Sequence, residues 1–137
     1  MNRVDIDDLT FDDFAWHDGS LFTGTSVETW PDGTLRSEQD FENGIKSGHY
    51  REYNRVGRLI AEVPYKTGVL HGTERHFFDD GRPSSETFGQ FGIVLSRKTW
   101  DDAGNLADEF QIDKDGYQYQ RYLEELAGEA RGKSEPE

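Results

Sequence analysis

The chain has 137 residues, enough for one domain that buries roughly two-thirds of the surface its unfolded form exposes. Its formal net charge is −13, which disfavours contact with nucleic-acid phosphate or anionic lipid and either favours a basic protein partner or serves only to keep the chain soluble. The absence of cysteine excludes a disulfide framework and thiolate metal ligation, while nine Phe, six Tyr and three Trp supply the bulk that a lean aliphatic content does not.

The N-terminal segment VDIDDLTFDDFAW, residues 4–16, mixes Asp5, Asp7, Asp8, Asp12 and Asp13 with Val4, Ile6, Leu9, Phe11, Phe14 and Trp16. It is expected to hold an edge strand or short loop that packs its apolar members and exposes its acids. The start MNRVDIDDLTF lacks the apolar run of a secretion signal, and no stretch is long enough to span a bilayer. A soluble, cytoplasmic protein is expected, with residues 1–23 as an N-terminal cap and first hairpin.

From residue 24 the chain repeats. Gly24, Gly48 and Gly72 fall 24 apart, with Ser96 in the next slot. Gly33, Gly57 and Gly81 keep the same interval, and Gly104 comes one residue early. Gly44, Gly68 and Gly92 form a third series. Asp18-Gly19, Asp32-Gly33, Asn43-Gly44, Asp80-Gly81 and Asp115-Gly116 supply the positive φ that tight hairpin turns demand. The segments between them, such as HYREY and RLIAEVPY, are rich in aromatic and branched residues and alternate in places as half-buried strands do. The prediction is a mainly β fold: an antiparallel β-meander of stacked hairpins over residues 24–116, forming an elongated twisted sheet. In YKTGVLHG, residues 65–72, the first glycine turns the chain, and the second is expected to make room for a ring of a neighbouring hairpin. Pro64 and Pro83 lack a donor and are assigned to strand ends, bulges or edges.

Glu38, Glu62, Glu86 and Glu109 form a further series, and Arg51, Arg75 and Lys98 follow the repeat once the missing residue is allowed for. Counting back from a two-residue turn at Asn43-Gly44 sets Glu38 opposite His49 and diagonal to Arg51. The same count sets Glu62 diagonal to Arg75. Each glutamate is therefore expected to neutralise a cation of the next repeat, the alternative being an unpaired acidic stripe that awaits a basic partner.

The motifs FENGIKSGHYREY and YKTGVLHGTERHFFDDG resemble the variant MORN repeat over residues 16–116, and LFTG at residues 21–24 resembles the opening of bacterial YwqK-type antitoxins. That resemblance implies a single MORN-repeat domain over residues 1–131 and a protein that neutralises a partner toxin by contact. Ser96 in place of glycine and Gly89 in the aromatic slot depart from the pattern.

Tyr119, Tyr122, Leu123, Leu126, Ala127 and Ala130 share one stripe at helical spacing, so residues 117–131 are predicted to form a helix that docks on the sheet as a cap, the alternative being a partner-binding helix, with a flexible tail at 132–137. The four histidines stand in no metal signature, and DKDG at 113–116 has its glycine in the wrong place for an EF-hand loop. No nucleophile elbow or dinucleotide fingerprint occurs. The expectation is a binding protein with no catalytic residue, metal or cofactor, and an assembly scaffold is the alternative to an antitoxin. If the toxin acts on nucleic acid, its basic cleft could be filled by Asp5, Asp7, Asp8, Asp12 and Asp13 of the N-terminus and Asp79, Asp80, Asp101 and Asp102 at turns. Tyr50, Tyr53, Phe77, Phe78 and Trp100 are the candidate anchors, against a core-packing role for each.

Overall fold

Two kinds of turn alternate along the chain and dictate its architecture. Asn43-Gly44 places both residues at positive φ, +49° and +79°, as do Asp18-Gly19, Thr67-Gly68 and Phe91-Gly92. This is the two-residue turn whose twist matches its flanking strands. The wider turns run from Trp30 to Thr34, where the Trp30 N–H binds the Thr34 carbonyl and the Gly33 N–H binds the Trp30 carbonyl. The same pair of bonds recurs at Asn54–Arg58, Phe78–Arg82 and Asp101–Asn105. Side chains of Asp32, Asn54, Asp80 and Asp101 accept backbone N–H groups inside their own turns. Tight turns therefore line one end of the strands and wide turns the other.

The computed structural model describes residues 2–134. Its strands are β1 (Arg3–Asp5), β2 (Thr10–Phe11), β3 (Ala15–His17), β4 (Ser20–Leu21), β5 (Gly24–Thr29), β6 (Leu35–Glu42), β7 (Ile45–Tyr53), β8 (Leu59–Lys66), β9 (Val69–Leu70), β10 (Gly72–Phe77), β11 (Pro83–Gln90), β12 (Ile93–Trp100) and β13 (Leu106–Gln111). A 3-10 turn occupies Ile6–Asp8, and the helix α1 spans Tyr117–Ser134. A 10-stranded open sheet runs in the order β1-β5-β6-β7-β8-β10-β11-β12-β13, with β9 paired to β8, and β2-β3-β4 make a small second sheet. The expected meander of hairpins is present. It carries one addition, since β1 lies parallel to β5 at the N-terminal edge.

The second glycine, Gly48 and then Gly72, sits where the register shifts in the first two copies. Between β6 and β7 the pairing passes from Phe41↔Lys46 to Gln39↔Tyr50, so Asp40 alone faces Ser47, Gly48 and His49. Asp40 fills this bulge, accepting the His49 N–H at 3.0 Å and the Thr25 hydroxyl at 2.7 Å. Gly48 has φ +95°, and a Cβ there would lie 2.7 Å from the Asp40 Oδ2. At Gly72 the neighbour is Pro64, with Cγ at 3.0 Å. A ring crowds only Gly24, where Phe22 Cζ would be 2.9 Å away, so the expected ring of a neighbouring hairpin is replaced at Gly48 and Gly72 by a residue across the same hairpin. In the third copy the pairing passes from Gly89↔Val94 to Phe88↔Ser96 and advances by one residue less. The missing residue is lost in the bulge itself. No left-handed position remains there, which is why Ser96 is tolerated.

The tight turns also bond to one another. Gly44 N–H binds the Phe22 carbonyl, Gly68 N–H the Lys46 carbonyl, and Gly92 N–H the Leu70 carbonyl. At the N-terminal end Ala15 N–H binds the Gly44 carbonyl, fixing the small sheet to the first of these turns. Leu9, Ala15, Phe22 and Phe41 form the buried cluster there, with Val4 against it, and Phe22 meets Phe41 edge-on at 5.7 Å. Phe11 and Phe14 stay exposed with the aspartates around them.

The helix departs from expectation in placement. It crosses the tight turns: the Tyr122 ring lies 6.2 Å from Phe91, its hydroxyl binds Gln90 Oε1 at 3.1 Å, and Glu129 reaches Lys66 at 3.9 Å. Only Tyr119 and Tyr122 of the predicted stripe are half-buried, while Leu123, Leu126, Ala127 and Ala130 face solvent. The turn closed by the Gly116 N–H on the Asp113 carbonyl sends the chain over this end instead of along the sheet edge. All six residues of β13 are consequently exposed. Helix also replaces the expected tail at residues 132–134, and residues 135–137 lie outside the described part.

Substitution at two glycines tests the bulge. Gly57 has φ +86° with nothing within 4 Å of an added methyl, so Gly57→Ala should lose only the left-handed strain, about 1–2 kcal/mol. Gly48→Ala adds the collision with Asp40 and should lose visibly more in urea unfolding.

Candidate interaction surface

Side chains alternate between the two faces along each strand. One face carries a row that crosses the sheet: Glu38, Arg51, Glu62, Arg75, Glu86, Lys98 and Glu109, each directly opposite the next. The predicted diagonal geometry is corrected to direct opposition, because the bulges advance the register beyond what a perfect two-residue hairpin gives. Contact within the row is partial. Arg51 Nε meets Glu62 Oε2 at 3.0 Å, and this bond raises the guanidinium pKa above its ordinary value. Glu38 is instead held by Arg3 at 3.0 Å and by the Tyr53 hydroxyl at 2.8 Å. Among the described residues Arg75 and Lys98 form no ion pair, so the expected ladder closes over only part of its length.

A second row on this face lies nearer the wide turns. Tyr53 pairs with Leu59, Phe77 with Pro83, and Trp100 with Leu106, all at matching positions just past a bulge. The three rings are half-buried and stand two strands apart, roughly 10 Å. The wide turns that follow Phe77 and Trp100 in the chain carry Asp79, Asp80, Asp101 and Asp102, and Asp79 also borders a groove on the opposite face. Asp80 and Asp101 build those turns: Asp80 accepts the Arg82 N–H and Nε, which hold its carboxyl below the usual range, and Asp101 accepts the Ala103 and Asn105 N–H groups. Asp79 and Asp102 are exposed.

The remaining candidates lie elsewhere. Tyr50 is on the opposite face, its hydroxyl bound to Glu52 at 2.6 Å, and Phe78 sits in a turn beneath the Arg82 guanidinium at 5.7 Å. Asp5 caps the 3-10 turn by accepting the Asp7 N–H, and both aspartates border a hollow with Trp30 on the wide-turn side. Asp8 is exposed nearby in sequence. Asp12 holds the Phe14 N–H and Trp16 Nε1, which lower its pKa, and with Asp13 it borders Gly44 and Gly68 at the tight-turn end. The N-terminal acids are thus split between the two ends of the strands.

Sequence reasoning passed over a groove of about 460 Å³ lined by Trp30, Arg36, Glu52, Asn54, Arg55, Val56, Ile60 and Asp79. The Arg36 and Arg55 guanidinium groups both lie over the Trp30 ring there, at 4.7 and 4.5 Å. The usable signal was positional, since Trp30, Asn54 and Phe78 open successive wide turns. Among the described residues no three His, Cys, Asp or Glu side chains gather as a metal site, and no helix is long and apolar enough to cross a membrane.

An open sheet built from repeated hairpins, with charged and aromatic rows on its faces, defines a repeat-built sheet protein. No protein-family model matches the chain. The immunity protein YwqK of Bacillus subtilis (strain 168) is 32% identical over 120 residues, which cover 82% of this chain and 78% of that protein. The chain belongs to the YwqK family. Among solved structures, one from the crystal structure of accessory secretory protein 1,2 and 3 in Streptococcus pneumoniae aligns with a TM-score of 0.38 and 17% identity, over 80% of this chain and 19% of that one.

Two measurements check the surface. A double-mutant cycle on Arg51 and Glu62 should give a coupling of ~0.2–1 kcal/mol that shrinks in high salt, because both side chains are partly solvated. Burial, then the Glu38 carboxylate, push the Tyr53 phenol above its ordinary 10.0. The fold favours the neutral phenol, so this contribution is complete below pH 10.0 and is lost as pH rises through the raised value. Urea unfolding at about pH 9 and about pH 11 should show a smaller alkaline loss for Tyr53→Phe than for the wild type.

Proposed function

We propose that this chain is a non-catalytic, MORN-repeat immunity protein that neutralises a cognate bacterial toxin by direct contact in the cytoplasm. The observation that carries this reading is the 32% identity to YwqK, which is named an immunity protein. The contact surface is the row of Tyr53, Phe77 and Trp100 together with the adjoining wide turns that carry Asp79, Asp80, Asp101 and Asp102. Half-buried rings on a preformed sheet offer large contact area at small entropic loss, and the acids beside them favour a basic face. With a net charge of −13, the chain attracts a basic partner such as a nuclease-like toxin, and its carboxylates stand in for phosphate in the toxin's cleft.

The test is a search for a toxin gene adjacent to this chain's gene, followed by co-expression of the two products. Survival restored by the wild type supports the reading, and undiminished killing despite a stable, expressed chain overturns it. Asp79→Lys with Asp102→Lys, both at exposed positions, should slow association roughly tenfold at low salt and much less at high salt, as rim charges do.

A further inference from the structure

The large sheet stops halfway through a repeat. Each earlier glutamate strand is followed, across a tight turn, by a strand that carries a cation: β6 by β7 with Arg51, β8 by β9 and β10 with Arg75, and β11 by β12 with Lys98. After β13 the chain turns at Asp113–Gly116 and enters α1. The place beside Glu109 where the charge alternation calls for a cation is left open.

The backbone of β13 is arranged to be paired there. Ile112 N–H binds the Leu95 carbonyl at 2.9 Å, so by the antiparallel alternation Phe110 and Asp108 turn their backbone groups toward β12. Glu109 and Gln111 turn theirs outward. Leu106 is 51% exposed and Phe110 42%. Open edges are commonly guarded by charged side chains, above all lysine, by proline, by bulges or by extreme shortness. On β13 the guard is acidic charge and one bulge, which turns away an acidic strand and admits a basic one. The other edge, β1, has three residues, whereas β13 has six, with neither lysine nor proline, and both of its charges are acidic.

We propose that β13 is a strand-addition site, which takes an antiparallel strand of the protein partner bearing Arg or Lys opposite Glu109. The inference rests on the reading of this chain as a toxin-neutralising protein. Backbone bonds supply the grip and the cation continues the row already present in the sheet. A second copy of this chain fits poorly. Pairing centred on Glu109 sets carboxylate against carboxylate, and two chains of net charge −13 repel.

Two edge variants separate backbone from charge. Gln111→Pro deletes an outward N–H and spares the bonds to β12, whereas Glu109→Arg reverses the sign. The probe is a synthetic peptide of this chain's own residues 69–77, VLHGTERHF, whose Arg75 natively faces glutamate, titrated into the isotope-labelled full chain. Amide shifts should centre on Leu106–Gln111. Both variants should weaken binding by roughly tenfold or more, and the Arg75→Glu peptide should recover binding to Glu109→Arg. An absence of shifts in β13, or equal binding by all three proteins, overturns the proposal. Co-expression with the toxin separates the two readings. Equal protection by the wild type and both variants removes the edge site and leaves toxin neutralisation standing, whereas a wild type that gives no protection removes toxin neutralisation. A wild-type dimer dissolved by Gln111→Pro assigns the edge to a second copy and overturns the partner strand.

Discussion

The left-handed glycine at the bulge, facing a side chain across its own hairpin, is the constraint from which the remaining geometry follows. Gly48 makes room for Asp40, and Asp40 ties together β5, β6 and β7 through the Thr25 hydroxyl and the His49 N–H. The two-step advance of register at this point brings Glu38 level with Arg51, and the corresponding advance at Gly72 brings Glu62 level with Arg75. A simple hairpin would leave the charges offset and the rows oblique. The stacking of tight turns depends on the same advance, because each repeat must bring its turn glycine back to the strand that follows the preceding turn.

Much of this was legible in the sequence because glycine and its Asn or Asp neighbours have few structural uses at fixed spacing. Asn43-Gly44 could be little other than a two-residue turn, and a 24-residue cadence of such turns implies a meander. The offset between Glu38 and Arg51 was not legible, since a bulge adds residues to one strand without changing its hydrophobic pattern. The helix shows a different blind spot. Spacing identified Tyr119 and Tyr122 as an inward face, but amphipathicity says nothing about which surface receives it. The N-terminal aspartates looked like one cluster only because they are close in sequence. The reversal from β1 through Leu9 to β2 carries Asp12 and Asp13 to the end opposite Asp5 and Asp7.

The two faces of the sheet divide the aromatic residues in a way that alternation predicts once the bulges are counted. Tyr53 leans on Glu38 within the charged face, while Tyr50, three residues earlier, is bound to Glu52 on the other. Rings on the charged face line up because they occupy equivalent positions past a bulge. Trp30 escapes that row and is held on the opposite side by Arg36 and Arg55. Membership of the YwqK family therefore comes with a surface whose regularity is set by backbone pairing and whose character differs from side to side.

The placement of α1 couples two lengths that need not have been related. Tyr122 meets Phe91 and Glu129 meets Lys66, contacts seven residues apart on the helix and one repeat apart on the sheet. Seven helical residues rise about 10.5 Å, and two strand spacings cover about 9.6 Å. The helix thus keeps step with the hairpins beneath it, like a splint laid across evenly spaced ribs. A chain with one more hairpin would need about two further helical turns to bind its array to the same extent.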